Sequence, residues 1–325
     1  MSTILLTGAS GFVGSHVLPA ILDAGHRVVA LTRTPKSGET VLRRLSADQR
    51  GLVDLRHGDV TDPSTLPSAL EGVDAVVHLV AIPRDFDRGA SLRLVNTEGT
   101  RNLVQAARGA GVRRFVHQGA MGVEDDPALH YSSSKARAER IVADSDLDWT
   151  ILRPSILWGE RDGFFNIIAG LVRWSPGLVP VPGSGNARFQ PLWIADLARV
   201  VVAAIGDPGA TVGRSLDLGG PRYWTYREIT REVMRAIGRR GIIVPMPVPL
   251  ISVVAGAAEL TRLPFPVATD QLRQLRLDNV GPLDTIEREF GFAPADMAGR
   301  LGHVKQRMRD QEPADASVGL PPASA

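Results

Sequence analysis

The sequence contains no cysteine, which excludes disulfides, thiolate metal sites and a cysteine nucleophile. Charge of one sign is also missing: 37 Lys and Arg against 35 Asp and Glu leave +2. A balance so even carries no nucleic-acid footprint. With 44% hydrophobic and 22% charged residues, extended disorder is excluded too. There is no basic leader, since Ser2-Thr3 run straight into Ile4-Leu5-Leu6 and Gly8; this predicts a buried strand rather than a signal peptide, and a cytoplasmic location. Nor is there an unbroken apolar run of spanning length. Residues 241–258 lack any charge, but Pro245, Pro247 and Pro249 predict an extended piece followed by a short apolar helix at 250–260. That helix is expected to pack in a small lobe, with a membrane-facing or greasy-substrate surface as the alternative.

A chain of 325 residues has room for about two domains. Short apolar runs alternate with amphipathic segments, the pattern of βαβ units feeding one parallel sheet. Strands are expected at 3–7, 27–32, 52–57, 75–79, 114–118 and 149–152, and clear helices at 95–109 and 132–145. Pro19 should kink or shorten the first helix. From Pro154 onward Gly and Pro become frequent. The expected organisation is a dinucleotide-binding domain over 1–155, with 190–220 returning to it, and a small substrate lobe from 156–189 and 221–309. The tail 310–325, rich in Pro, Ala, Ser and acid, is expected to be disordered.

Thr7-Gly8-Ala9-Ser10-Gly11-Phe12-Val13-Gly14 follows the first strand and opens a helix. In that context Gly8 permits the tight turn, Gly11 lets the backbone approach a pyrophosphate, and Gly14 lets helix and strand pack closely. Sites that prefer NAD end their second strand with an acid for the ribose 2′-hydroxyl. Here the second strand ends Leu31-Thr32-Arg33, with Lys36 just beyond. A cation stands where a 2′-phosphate would need one, so NADP(H) is expected over NAD(H). Arg33 as a solvated loop charge, or stacked on adenine, is the alternative.

Tyr131 and Lys135 stand four apart at the start of an amphipathic segment, so both leave one helix face. Tyrosine titrates near pH 10, and a neighbouring ammonium is expected to lower that by favouring the phenolate. The lysine can also hold a ribose hydroxyl.

These motifs, with Gly58-Asp59-Val60-Thr61-Asp62, Val77-His78-Leu79-Val80-Ala81, Asn96-Thr97-Glu98-Gly99-Thr100 and Leu152-Arg153-Pro154, resemble the extended or atypical, epimerase-like short-chain dehydrogenase/reductases over nearly the whole chain. The resemblance implies a Rossmann-type doubly wound parallel sheet with a smaller, interleaved C-terminal substrate lobe. It also implies a cofactor site of Gly8, Ser10, Gly11, Phe12, Val13, Gly14, Thr32, Arg33, Asp59, Val60, Val80, Ala81, Asn96, Lys135 and Pro154. Asp59 and Val60 would lie at the adenine, Ala81 beside the dinucleotide and Pro154 near the nicotinamide. Gln190-Pro191-Leu192-Trp193-Ile194-Ala195-Asp196-Leu197-Ala198 and Thr269-Asp270-Gln271-Leu272-Arg273 are similar to the branch containing the nucleotide-binding accessory subunit of mitochondrial complex I.

One departure stands out. Active members carry a serine at the end of the fifth strand, and that place falls here at Gly119 or Ala120, neither of which has a hydroxyl. Gln118, Ser132, Ser133 or Ser134 would have to donate instead. His78, His117 and His130 have no ligand spacing and are expected to be structural, with no metal. Trp158, Phe164, Phe165, Trp174 and Trp193 are expected mostly in the core of the substrate lobe, one or two lining an apolar pocket. The basic residues of 271–276 and 303–309 are expected on solvated helix faces.

These features predict NADP(H)-dependent reduction of a small apolar carbonyl or quinone-like substrate by Tyr131 and Lys135, in a monomer or homodimer. No nucleic acid and no membrane span are expected; peripheral membrane contact stays open. The alternatives are a non-catalytic dinucleotide-binding scaffold or redox sensor, and an NAD-dependent sugar-nucleotide epimerase or dehydratase.

Overall fold

Strands of a parallel sheet covered on both faces read as nearly continuous apolar runs, and Thr3–Thr7 (β1), Thr-Ile-Leu-Leu-Thr, is one. In the computed structural model, which describes residues 1–84, 87–175, 177–247 and 278–306, β1 lies inside a seven-stranded sheet. Its companions are Arg27–Thr32 (β2), Val53–His57 (β3), Ala75–His78 (β4), Arg114–Gln118 (β5), Asp148–Pro154 (β6) and Arg214–Leu218. The last strand adds to β6 in parallel, Leu218 level with Pro154. Read from that edge the order is Arg214–Leu218, β6, β5, β4, β1, β2, β3, and every pairing is parallel. The chain reverses its direction of travel between β1 and β4, and the crevice at their carboxyl ends is where such sheets bind ligands.

Alternate residues of each strand face opposite layers. Ile4, Leu6, Val28, Ala30, Val77 and Val116 pack with Val17, Leu18 and Ile21 of the helix Gly14–Asp23 and Leu197, Val200 and Val201 of Ile194–Gly206. Leu5, Val29, Val76 and Phe115 pack on the other face with Leu103 and Ala107 of Gly99–Gly109 and Val142 of His130–Ala143. Pro19 lies inside the ten-residue first helix. The helix expected at 95–109 begins earlier, at Ala90–Leu92, and passes through a π-helical stretch, Arg93–Glu98, before Gly99. Such wide turns concentrate at functional sites, and this one holds Asn96.

The small lobe has its own core of Trp158, Phe165, Ile168, Val179, Val181, Phe189, Trp224, Tyr226, Ile229, Met297 and Leu301. Its short strands are Leu157–Trp158 (β7), Leu178–Pro182 (β8), Arg188–Phe189 (β9), Leu192–Trp193 (β10), Trp224–Thr225 and Ile242–Met246. In sequence Arg214–Leu218 comes between β10 and Trp224–Thr225, so we number these three β11, β12 and β13. Asn279 ties the lobes: its Nδ2 donates to Met121 O at 2.7 Å, and its backbone O accepts from Ser155 Oγ at 3.0 Å. Trp174 departs from the expected core, ending its helix 89% exposed, and Trp193 is 37% exposed while stacking on buried Trp158. No helix among the described residues is long and apolar enough to cross a membrane. The helix expected at 250–260, the 269–273 motif, the basic run 271–276 and the tail 310–325 lie outside the described residues.

Candidate dinucleotide and catalytic site

Gly8 leaves β1 with φ +76, a conformation that L side chains rarely adopt. A Cβ on it would lie 3.2 Å from the backbone of Leu79 and Val80, so the same glycine brings the end of β4 against the loop. Gly14 is the tightest position: its Cβ would sit 2.1 Å from Gly8 O and 2.6 Å from Ala9 Cα. Gly11 is exposed and would meet only Gly8 O. Between them the N–H groups of Phe12, Val13 and Gly14 have no acceptor among the described residues. Donors at the positive end of a helix, beside a glycine that leaves the approach open, fit a pyrophosphate.

Two guanidinium groups that the sequence reading did not select flank this loop. Arg44 Nη1 donates to Ser10 O at 2.9 Å, and Arg161 Nη2 donates to Ser15 Oγ at 2.5 Å. Burial, then the charge of Arg161, lowers the Arg44 pKa to about 10. Like charges held this close favour an anion between them. Arg161 reaches the loop from the small lobe with φ +70.

Along the β2 and β3 edge, Thr32 is buried and Arg33 exposed. The Arg33 carbonyl accepts from His57 Nε2 at 3.1 Å, and among the described residues nothing engages its guanidinium. Asp59 lies beside them because Gly58 N–H donates to Thr32 O at 3.1 Å. Its carboxylate accepts from Thr61 N and Oγ1, both at 2.9 Å. Val60 is buried in the core. Val80 is half-buried and Ala81 exposed at the end of β4. Asn96, expected at the cofactor, is buried, and its amide is a clamp. Its Oδ1 accepts from Ile82 N at 2.8 Å, and its Nδ2 donates to Ile82 O at 3.1 Å and Ser134 Oγ at 3.0 Å.

Tyr131 lies in the first turn of His130–Ala143 and Lys135 one turn on. Lys135 is 3% exposed, and its Nζ donates to Gln118 O at 2.5 Å, at the carboxyl end of β5. Pro154 is buried at the matching end of β6, where its carbonyl accepts from Met121 N at 3.1 Å. The expected lowering of the Tyr131 pKa does not occur. Burial, then the nearby Glu139 charge, raises it to about 12. Burial lowers Lys135 to about 8, with Glu139 opposing. The Tyr131 hydroxyl makes no hydrogen bond to any described residue.

Glu139, two turns beyond Tyr131, is the second feature the sequence reading missed. Its carboxylate is buried, accepting from Ala120 N–H at 3.0 Å and from Arg153 Nε at 2.7 Å. A Cβ on Gly119 would lie 2.1 Å from Glu139 Oε1. The place of the expected serine is therefore filled by a carboxylate, which at neutral pH only accepts hydrogen bonds. The three serine hydroxyls that could substitute are occupied as well. Ser132 bonds the Glu124 backbone, Ser133 donates to Asp125 and Ser134 to Tyr131 O. Gln118 Oε1 is buried with no partner among the described residues.

Behind the lysine two histidines face each other, ring centroids 5.3 Å apart. His78 bridges Thr7 Oγ1 at 2.8 Å and Thr100 Oγ1 at 3.0 Å. His117 is equally buried, yet neither ring nitrogen has a partner among the described residues. No group of three or more metal-binding side chains occurs among the described residues.

A doubly wound sheet with this glycine loop, and a tyrosine and lysine on the helix between β5 and β6, defines a dinucleotide-binding protein of the extended short-chain dehydrogenase/reductase type. Residues 8–170 match the NAD(P)H-binding family, and the chain belongs to that family. It is 30% identical over 284 residues to the (4-alkanoyl-5-oxo-2,5-dihydrofuran-3-yl)methyl phosphate reductase of Streptomyces griseus, covering 86% of this chain and 88% of that one. It is 26% identical over 282 residues to NADH dehydrogenase [ubiquinone] 1 alpha subcomplex subunit 9, mitochondrial, of Arabidopsis thaliana, covering 86% and 68%. The fold is similar to that of the NADPH-dependent quinone oxidoreductase of Escherichia coli solved with NADPH. The TM-score is 0.72 at 19% identity, over 93% of this chain and 99% of that one.

Proposed function

We propose that this protein is an NADP(H)-dependent reductase of a small, apolar carbonyl or quinone-like substrate. One observation carries the reading: the Tyr131 hydroxyl, free of any described partner, projects from the helix whose Lys135 is anchored at the end of β5. A bound reduced nicotinamide supplies hydride. Tyr131, protonated up to about pH 12, is suited to giving its proton to the reduced oxygen, the direction a reductase needs. Lys135 holds the ribose and orients that helix. Arg33 meets the 2′-phosphate, while the N–H groups of residues 12–14, with Arg44 and Arg161, hold the pyrophosphate. The reductase from Streptomyces griseus, among the relatives, supports this direction.

The test is a panel of quinones and small carbonyls with NADPH, run on the wild type and Tyr131→Phe. The reading expects turnover in the wild type, its loss in the variant, and unchanged dinucleotide affinity; equal rates in the two would overturn it. A second reading, a dinucleotide-binding protein without turnover, is favoured by the carboxylate that fills the serine position. Tight binding with no turnover of any substrate by the wild type would select it.

A further inference from the structure

Three exposed apolar side chains and a set of arginines lie on and beside the β8–β13 pairing of the small lobe. β8 and β13 pair in parallel with Leu178 level with Ile242, and these are 60% and 68% exposed. Ile242 N–H donates to Gly177 O at 2.8 Å, pinning the start of β13 to Gly177, three residues after Trp174, itself 89% exposed. Arg239 and Arg240, both exposed, stand just before β13, with Gly241 between. The charge of Arg239 acts on Arg173, which adjoins Trp174 and donates to Val304 O at 2.9 Å. The edge is thus a basic rim around Trp174, Leu178 and Ile242.

Acid is missing from the segments that build it. The sequence has no Asp or Glu from 163 to 195 or from 233 to 258. Glu232, on the helix leading to Arg239, is buried and paired with Arg235 at 2.6 Å. An indole left this open among aliphatic side chains is not how a monomer finishes its surface. Tryptophan beside arginine is the composition that settles at a bilayer interface. There the ring sits at headgroup depth and each nearby cation gains from anionic lipid. A second copy is a poor occupant, because face-to-face pairing would bring two sets of these arginines together.

We propose that this edge of the small lobe, Trp174, Leu178 and Ile242 rimmed by Arg239 and Arg240, docks the protein on an anionic membrane surface. The full-length chain is mixed with vesicles of phosphatidylcholine alone or with about one third phosphatidylglycerol, and sedimentation and tryptophan emission are followed. Binding and a blue shift are expected on the anionic vesicles, about tenfold weaker on the neutral ones and in about 0.5 M salt. Trp174→Ser and the pair Arg239→Ser, Arg240→Ser should each weaken binding roughly fivefold or more. Their melting temperature and dinucleotide binding should stay as in the wild type. Absence of vesicle binding, or equal binding by the variants, would overturn the proposal. So would a concentration-dependent dimer, formed without lipid and lost in Trp174→Ser, which would assign the face to a second copy.

Discussion

The carboxylate of Glu139 occupies the space that a side chain on residue 119 would need, with Oε1 2.1 Å from where a Gly119 Cβ would stand. Glycine at 119 and a buried acid at 139 are thus one arrangement, which holds the Tyr131 helix to the ends of β5 and β6 through Ala120 N–H and Arg153. Restoring the serine hydroxyl should therefore be destabilising. Gly119→Ser is expected to cost about 1–3 kcal/mol, and much less in a Glu139→Ala background. Thermal melts of the single and double variants measure the coupling; additive costs would show that the two positions do not compete for space.

The glycines of the loop should separate by role. Gly14→Ala has only backbone to press against and is expected to abolish folding or soluble expression. Gly11→Ala meets little and should melt near the wild type, yet bind dinucleotide markedly more weakly, since its methyl enters the pyrophosphate approach. Circular dichroism and nicotinamide fluorescence on the two variants check this, and a Gly11→Ala protein with full affinity would remove the pyrophosphate from this loop.

Acid should unfold the protein through its buried histidines. Burial, then the Lys135 charge, lowers His78 from 6.5 to about 3, and His117 is likewise held well below its ordinary range. Between those values the unfolded chain binds more protons than the native one, so stability rises with pH across the window and falls as pH drops from 6.5 toward 3. The slope for His78 is about 1.4 kcal/mol per pH unit. Because neither His117 nitrogen has a described partner, His117→Leu should be neutral or stabilising at pH 7 and should flatten the acid slope. Urea melts at three pH values test both; an unchanged slope in His117→Leu would contradict the assignment.

The Tyr131 titration is separable, because the chain has only three tyrosines. Subtracting the tyrosinate absorbance of Tyr131→Phe from that of the wild type should show a midpoint near 12. Glu139→Gln should move it down, since removing a negative neighbour makes the phenolate easier to form. A midpoint at 10 or below in the wild type would mean that the lysine, rather than burial and Glu139, controls the phenol.

Much of the frame is written locally in the chain. The runs at 3–7, 27–32 and 114–118 appear as strands, and the doubly wound class follows from their alternation with helices. Gly8 and Gly14 sit where a tight turn and close helix packing demand them. What stayed hidden depends on distant contacts. Arg44 reaches Ser10 across 34 residues and Arg161 reaches Ser15 across 146, so no spacing rule could select them. By its spacing Glu139 is one more charge on a helix, and only the fold sets it against Gly119, just past β5. Asn96 bears a family motif, yet the π-helical stretch turns its amide onto Ile82 and Ser134. Trp174 ends an apolar helix, and nothing in its periodicity separates the last exposed turn from the buried ones.

The central claim is that the Gly8 loop and the Arg33 edge together hold NADP(H). A matched titration of the apo protein with NADPH and NADH, followed by nicotinamide fluorescence in the wild type and Arg33→Ala, tests it most directly. The account predicts that NADPH binds at least about tenfold more tightly, and that Arg33→Ala erases the difference by weakening NADPH alone. Equal affinities, or a preference for NADH that survives in Arg33→Ala, would contradict it.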